Sequence, residues 1–343
     1  MSLFKSLISL LFLLVVLGGA ALIGAYYWID SEATKTGPLA SETIFTVKPG
    51  EGLSTVADRL ETAGLISDDR VMKIRARIKP LEGQIKVGEY AVPAGASIDA
   101  ILAQLVEGKV VMLKLTIPEG LTTKTVLDMV ASADSLTGDM PDDEIAEGVL
   151  QPDTYLFPRG ETRKDFIARM RNAQQKTLED VWPSRENGLP LASKEDALIL
   201  ASIVQKEAAG HEEYGRVASV FINRLNKGMK LQTDPTVHYG VNRGEPLYNR
   251  RGQRRTLYRS ELDRDTPWNT YTRTGLPVTA IANPGRAAIE AVLNPPKTDF
   301  LFFVANPEGG TTFTTNVRDH ERAVAVYRKY EREEIARERA NDQ

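Results

Sequence analysis

The chain has 343 residues, long enough for two domains and an anchoring segment, and at 42% hydrophobic and 26% charged it has the composition of folded protein. Its 43 basic and 46 acidic residues leave a net charge of -3, without the global basic field that nucleic-acid binding needs, so nucleic acid is set aside as a partner. The absence of cysteine excludes disulfides, thiolate catalysis and cysteine metal sites; the three histidines, His211, His238 and His320, form neither an H-E-x-x-H pair nor a triad beside a G-x-S-x-G elbow, so no metal and no cofactor is implied.

After residues 1–6, which include Lys5, the run from Leu7 to Ile29 carries no charged side chain and is long enough to cross a hydrocarbon core as a helix. Tyr26, Tyr27 and Trp28 form an aromatic belt at its end. With Lys5 before the span and Asp30 and Glu32 after it, the positive-inside rule places the amino terminus in the cytoplasm and the remainder outside. A signal peptide cleaved near Gly18-Gly19-Ala20-Ala21 is the competing reading. The apolar run continues past those residues, which favours a retained transmembrane helix. A polar linker follows over residues 30–43.

Between residues 44 and 140 a strand-turn-helix pattern occurs three times, predicting a small α+β domain. Phe45 to Gly50 leads through Ser54 to Val56, Ala57 and Leu60. Tyr90 to Gly95 leads through Ser97 to Ile98, Ile101, Leu102 and Leu105, and Leu115 to Gly120 leads through Thr122 to Val126 and Met129. In each copy a Pro/Gly turn breaks the strand and a hydroxyl stands ready to cap the helix. The first copy, from Thr46 to Ala57, resembles the opening of a LysM module, a small fold that binds N-acetylglucosamine-containing glycans. A structural spacer with the same turn chemistry is the alternative.

The acidic stretch Gly138 to Glu147 reads as a boundary loop, so a larger α+β domain is placed at 148–330, with a charged tail at 331–343. Within the larger domain, Ser193 to Ala209 reads as a helix capped by Ser193 and Asp196. Leu200, Ile203, Val204 and Glu207 fall at i, i+3, i+4 and i+7, which turns one carboxylate onto the apolar stripe. Partial desolvation there raises a carboxyl pKa toward the range of a general acid, whereas the bland alternative is a helix-end Glu reaching out to water. Gln205 and Lys206 are predicted to point to solvent. A second helix, Glu213 to Lys227, carries Val217, Val220, Phe221 and Leu225 on one face and ends at Gly228. Phe300 to Val304 and Thr311 to Phe313 are predicted strands across a Glu308-Gly309-Gly310 turn.

Three polar-aromatic clusters lie between these elements: Leu231 to Gly240, Trp268-Asn269-Thr270-Tyr271, and Gly275-Leu276-Pro277 followed by Ala280 to Gly285. Amides, carboxylates and rings of this kind suit a carbohydrate cleft, and equally suit loops that satisfy their own backbone.

Four of these segments, Ala201 to Glu207, Val217 to Leu225, Leu231 to Thr236 and Asn269 to Tyr271, occur in order between Pro152-Asp153-Thr154-Tyr155 and Phe313-Thr314-Thr315-Asn316. Together they closely resemble the endolytic murein transglycosylase family (MltG, YceG-like). The resemblance implies a bitopic inner-membrane enzyme whose periplasmic catalytic domain cuts the MurNAc-GlcNAc bond inside nascent peptidoglycan strands. It implies 1,6-anhydroMurNAc ends and association with peptidoglycan synthases. The family's catalytic Glu maps onto Glu207, and Gln205 stands where many members have a second Glu.

Lytic cleavage needs one carboxyl group acting first as acid and then as base. A hydrolytic muramidase would add a carboxyl partner about 5–9 Å away, for which Asp234 is the first candidate and Asp153 the next; a non-catalytic glycan-binding scaffold is the third reading. Asp234 is read here as an orienting acceptor before Pro235. Gln232, Thr233, Tyr239, Asn269, Tyr271 and Asn283 are the expected sugar and N-acetyl contacts, with Tyr155 nearby.

Overall fold

The computed structural model describes residues 2–81 and 84–341, so Met1 and the last two residues of the expected tail lie outside the described residues. The chain folds as mixed helix and strand in two compact units. One comprises the residues up to Lys114 together with Leu156–Glu161; the other comprises Leu115–Tyr155 and the chain from Thr162 onward.

In the first unit, α1 (Ser2–Thr34) is a single helix whose apolar stretch is exposed until its final turns. It runs past Ile29 because Ile29 and Ala33, one turn apart, are buried in the core of this unit. Asp30 reaches Arg75 at 2.8 Å. The expected linker therefore begins near Lys35 rather than at Asp30.

Next come β1 (Thr43–Val47), α2 (Leu53–Thr62), α3 (Asp69–Ile78), β2 (Gly88–Val92) and α4 (Ile98–Glu107). β1 and β2 pair antiparallel, Thr43 opposite Val92 and Val47 opposite Gly88, which turns Phe45, Val47, Tyr90 and Val92 onto the helices. Val56, Leu60, Met72 and Leu102 fill the space between, each contributing roughly 1.5–3 kcal/mol by leaving water.

The chain passes between the units within β3 (Met112–Thr116) and β4 (Thr154–Pro158). The second unit therefore opens at Leu115, and the stretch 138–147 lies inside it. Its acidic composition marks a loop and not a division. The helices that follow are α5 (Thr123–Ala131) and, after β4, α6 (Arg163–Val181), α7 (Lys194–Glu207), α8 (Tyr214–Asn226), α9 (Asp234–Asn242), α10 (Arg259–Leu262) and α11 (Arg286–Leu293). A hairpin of β5 (Phe302–Ala305) and β6 (Thr311–Thr314), with Phe302 opposite Thr314, leads into α12 (Val317–Asn341). The described part of the tail beyond Tyr330 continues this last helix to Asn341.

The three strand-turn-helix segments share a backbone device: Gly50, Gly95 and Gly120 have φ of 82°, 67° and 74°, a left-handed turn that a side chain would strain. Ser97 caps α4 and Thr122 caps α5. Ser54 does not cap α2, because the helix already starts at Leu53 behind Gly52 and Ser54 lies within its first turn.

Candidate active site

The site is built at the carboxyl end of α7. Ser193 accepts a hydrogen bond from the Asp196 amide, and Asp196 accepts one from the Ala192 amide, which fixes where the helix begins. Fourteen residues later the helix ends on Glu207. Leu200, Ile203 and Val204 are fully buried between α7 and its neighbours α8 and α11, and Glu207 continues their stripe to the edge of a cleft of about 430 Å³.

Burial pushes the Glu207 carboxyl up to about 7; the nearby Asp234 adds to the rise, while the Thr233 hydroxyl and the Arg224 cation oppose it. Thr233 donates its hydroxyl to Glu207 Oε1. That threonine is itself held: its amide donates to Thr270 Oγ1 at 3.1 Å, and Thr236 Oγ1 donates to its carbonyl at 2.7 Å. Thr233, Thr236 and Thr270 thus form a buried hydroxyl cluster that aims one donor at the carboxylate. Just before it, Gln232 adopts φ of 51°, a left-handed conformation uncommon for a side-chain-bearing residue, and faces the cleft.

Asp234 and Tyr271 line the same cleft and are joined by a 2.6 Å hydrogen bond from the tyrosine hydroxyl. Burial, with Asp234 alongside, raises the Tyr271 pKa. Of the expected contacts, then, Gln232, Asp234 and Tyr271 line the cleft around Glu207, and Thr233 touches it from beneath.

The others are placed elsewhere. Asn269 is fully enclosed, its amide donating to the Leu262 and Arg264 carbonyls and its oxygen accepting from the Tyr271 amide. Asn283 is equally enclosed and ties Leu150, Leu121 and Thr123 together. Both side chains satisfy buried backbone, so neither reaches the cleft. Tyr155 is buried with its hydroxyl on the Gln151 carbonyl. Tyr239 donates to Glu147 at 3.0 Å and lines a neighbouring hollow. Asp153, the second candidate carboxyl partner, lines a separate depression with Lys176, Asp180 and Arg286. Gln205 does not point to solvent: its amide donates to Tyr214 Oη at 2.6 Å and its oxygen accepts from the Gly285 amide at 3.1 Å, bracing the last turn of α7.

Five cleft residues lie outside the expected set: Arg224, Leu231, Phe302, Phe303 and His320. Arg224 is 7% exposed and donates to the Leu301 and Leu231 carbonyls at 2.7 Å each, with its guanidinium 5.0 Å from the Phe302 ring centre. Burial lowers its pKa, with Tyr271 and Glu207 acting the other way. His320 stacks on the same ring, Phe302, at 5.1 Å, and burial followed by the Arg224 charge lowers its pKa. The signal for Arg224 was present in the sequence: Val217, Val220, Phe221 and Arg224 repeat the i, i+3, i+4, i+7 spacing that singles out Glu207.

The arrangement offers one carboxyl group poised to hold or release a proton near neutrality, a buried cation beside it, and acceptors and donors suited to hydroxyl-rich ligands. A family model described as the YceG-like family matches residues 45–326. An endolytic murein transglycosylase of Bacillus subtilis is 29% identical over 311 residues, covering 82% of this chain and 83% of that protein. An endolytic murein transglycosylase of Streptococcus pneumoniae is 27% identical and covers 93% of this chain, which spans 64% of that relative's length. A solved yceG-like protein of Listeria monocytogenes, 28% identical, matches 82% of this chain and 98% of its own with a TM-score of 0.48.

Proposed function

This chain belongs to the YceG-like family, and from that premise and the geometry around Glu207 we propose that it is an endolytic murein transglycosylase. It cuts the MurNAc-GlcNAc bond within nascent glycan strands and leaves 1,6-anhydroMurNAc ends. The observation that carries this reading is a single carboxyl group brought to about 7 by burial in a polar cleft.

Protonated Glu207 gives its proton to the glycosidic oxygen as the bond to the anomeric carbon breaks. The positive charge that develops on the sugar resembles an oxocarbenium ion. The resulting carboxylate then removes the proton from the muramoyl 6-hydroxyl, whose oxygen bonds to the anomeric carbon. No water enters, and Glu207 ends the cycle protonated. Thr233 and Arg224 stabilise the charged stage of Glu207, and a pKa near the working pH suits a group that must act in both senses. Gln232, Asp234 and Tyr271 are assigned to sugar and N-acetyl contacts.

In this reading α1 is a transmembrane anchor with its amino terminus in the cytoplasm, which sets the enzyme in the periplasm against the membrane face where strands are made and beside the peptidoglycan synthases. The β1-α2-α3-β2 order supplies the helix pair that a LysM-like module requires, and supports a role of the first unit in holding glycan. Asp234 in the cleft is the observation that favours hydrolysis as a second reading.

The test is mass spectrometry of fragments released from purified peptidoglycan by the full chain in detergent, beside Glu207→Gln. The last turns of α1 belong to the core of the first unit, so the helix is kept. Internal fragments with anhydromuramoyl ends, absent from the variant, are expected. Reducing ends would establish a hydrolase and shift attention to Asp234; strand binding without cleavage by either protein would leave a scaffold.

A further inference from the structure

A second hollow of about 450 Å³ lies next to the cleft, and Asp234 is common to both walls. Its charge balance is uneven. Arg255 is neutralised by a two-point pair with Glu261 at 2.7 Å, while Asp234, bonded only by the neutral Tyr271 hydroxyl, stands as one anion in the wall against the two cations Lys206 and Arg254 and leaves it net positive. Lys206 and Arg254 have no such neutralisation. The Lys206 ammonium donates to the Gly120 carbonyl at 3.2 Å, and among the described residues neither cation is within ion-pair distance of a carboxylate. His238 lies in the same wall, and burial together with the Lys206 and Arg254 charges lowers its pKa. Two like charges facing one concave space are stabilised by an anion between them.

We propose that this hollow is a subsite for a carboxylate carried on the lactyl branch of a muramoyl residue of the strand, held by Lys206 and Arg254. The proposal rests on the reading of the Glu207 cleft as a glycan site. The sugars of such a strand are otherwise neutral, and its carboxylates sit on that branch, either as the free lactyl group of stripped strands or further along the stem peptide. Lys206 directly precedes Glu207 on α7, so the carboxylate belongs to a residue close to the bond being cut. Tyr239 supplies an apolar face beside the cations, suited to the methyl groups of a lactyl or alanyl unit.

The test reads binding and not turnover. The full chain in detergent carries Glu207→Gln, so that strands stay intact, and its Kd is measured with and without a second change, Arg254→Gln or Arg254→Lys. Three uncross-linked strand preparations are compared: peptide-bearing, amidase-stripped, and peptide-bearing with carboxylates blocked as amides. Arg254→Gln is expected to weaken binding of peptide-bearing strands about tenfold, a loss that shrinks as salt is raised, with Lys restoring most of it. Blocked strands are expected to bind both forms equally. Disappearance of that loss on stripped strands assigns the carboxylate to the stem peptide, and a loss on stripped strands as well, where amide cleavage has freed the lactyl carboxyl, shows that the hollow also takes that group. Equal affinity with Gln at Arg254, or an equal loss on blocked strands, would overturn the subsite while leaving the cleft reading standing. Failure of every preparation to bind even without the second change would overturn the glycan reading itself.

Discussion

Two buried arginines, Arg75 in the first unit and Arg224 in the second, are exposed by 6% and 7% and yet are handled in opposite ways. Arg75 makes a two-point pair with Asp99 and a further contact to Asp30, which raises its pKa beyond the usual guanidinium value. Arg224 meets carbonyls and an aromatic face, and burial lowers its pKa. Glu207, lining the same cleft as Arg224, is likewise left without a close ion pair and is displaced to about 7. The first unit cancels its buried cation against Asp99 and Asp30. The second keeps a cation and an acid apart in one cleft, where their charge is available to a ligand.

Substitutions probe this contrast from the strongest effect downward. Glu207→Gln is expected to lower the rate of strand cleavage by about 10³-fold, within the range for loss of a general acid. The same variant is expected to be more stable than the parent at alkaline pH. A carboxyl whose folded pKa is raised destabilises the fold once the unfolded form ionises. The penalty therefore starts as pH climbs through 4.5 and is complete above about 7. Its size is on the order of 3 kcal/mol, so urea unfolding at pH 8 should separate the two proteins and unfolding at pH 4 should not.

Arg75→Ala should do the reverse. It leaves Asp30 without its cation and Asp99 with Lys79 alone, at 3.0 Å, and lowers stability by about 3 kcal/mol in denaturant unfolding, with kcat of the folded protein retained. Asn283→Ala removes an amide that ties three buried groups and should cost about 2 kcal/mol of stability with KM unchanged, separating its structural position from a sugar contact. Asp234→Asn keeps an acceptor for Tyr271 and should slow cleavage less than about tenfold, roughly 1 kcal/mol. A loss as deep as that of Glu207→Gln would instead mark a two-carboxylate hydrolase.

Glu207 was legible in the sequence because helical periodicity is a local property, and a charged residue on an apolar stripe is visible without knowing what packs on it. Arg224 obeys the same spacing but sits inside a motif that reads as an ordinary amphipathic face. Its role emerges only where Leu231 and Leu301 bring their carbonyls to it. Asn269 and Asn283 fit a sugar site by residue type. Whether an amide serves a ligand or the backbone depends on the path of the coil from 264 to 285, which no local pattern specifies. The division at Lys114 was illegible for a related reason: the third strand-turn-helix segment has the chemistry of the first two but folds with the second unit. Glu147, in the stretch read as a boundary loop, is raised by burial and bonded by Tyr239 and the Thr123 amide.

The central claim is that Glu207 is a neutral-range acid, and its own titration tests this most directly. Carboxyl carbon-13 NMR of glutamate-labelled full chain in detergent, with Glu207→Gln to assign the resonance, should give one carboxyl that titrates near pH 7. A resonance titrating near 4.5, the ordinary glutamate value, would contradict the account.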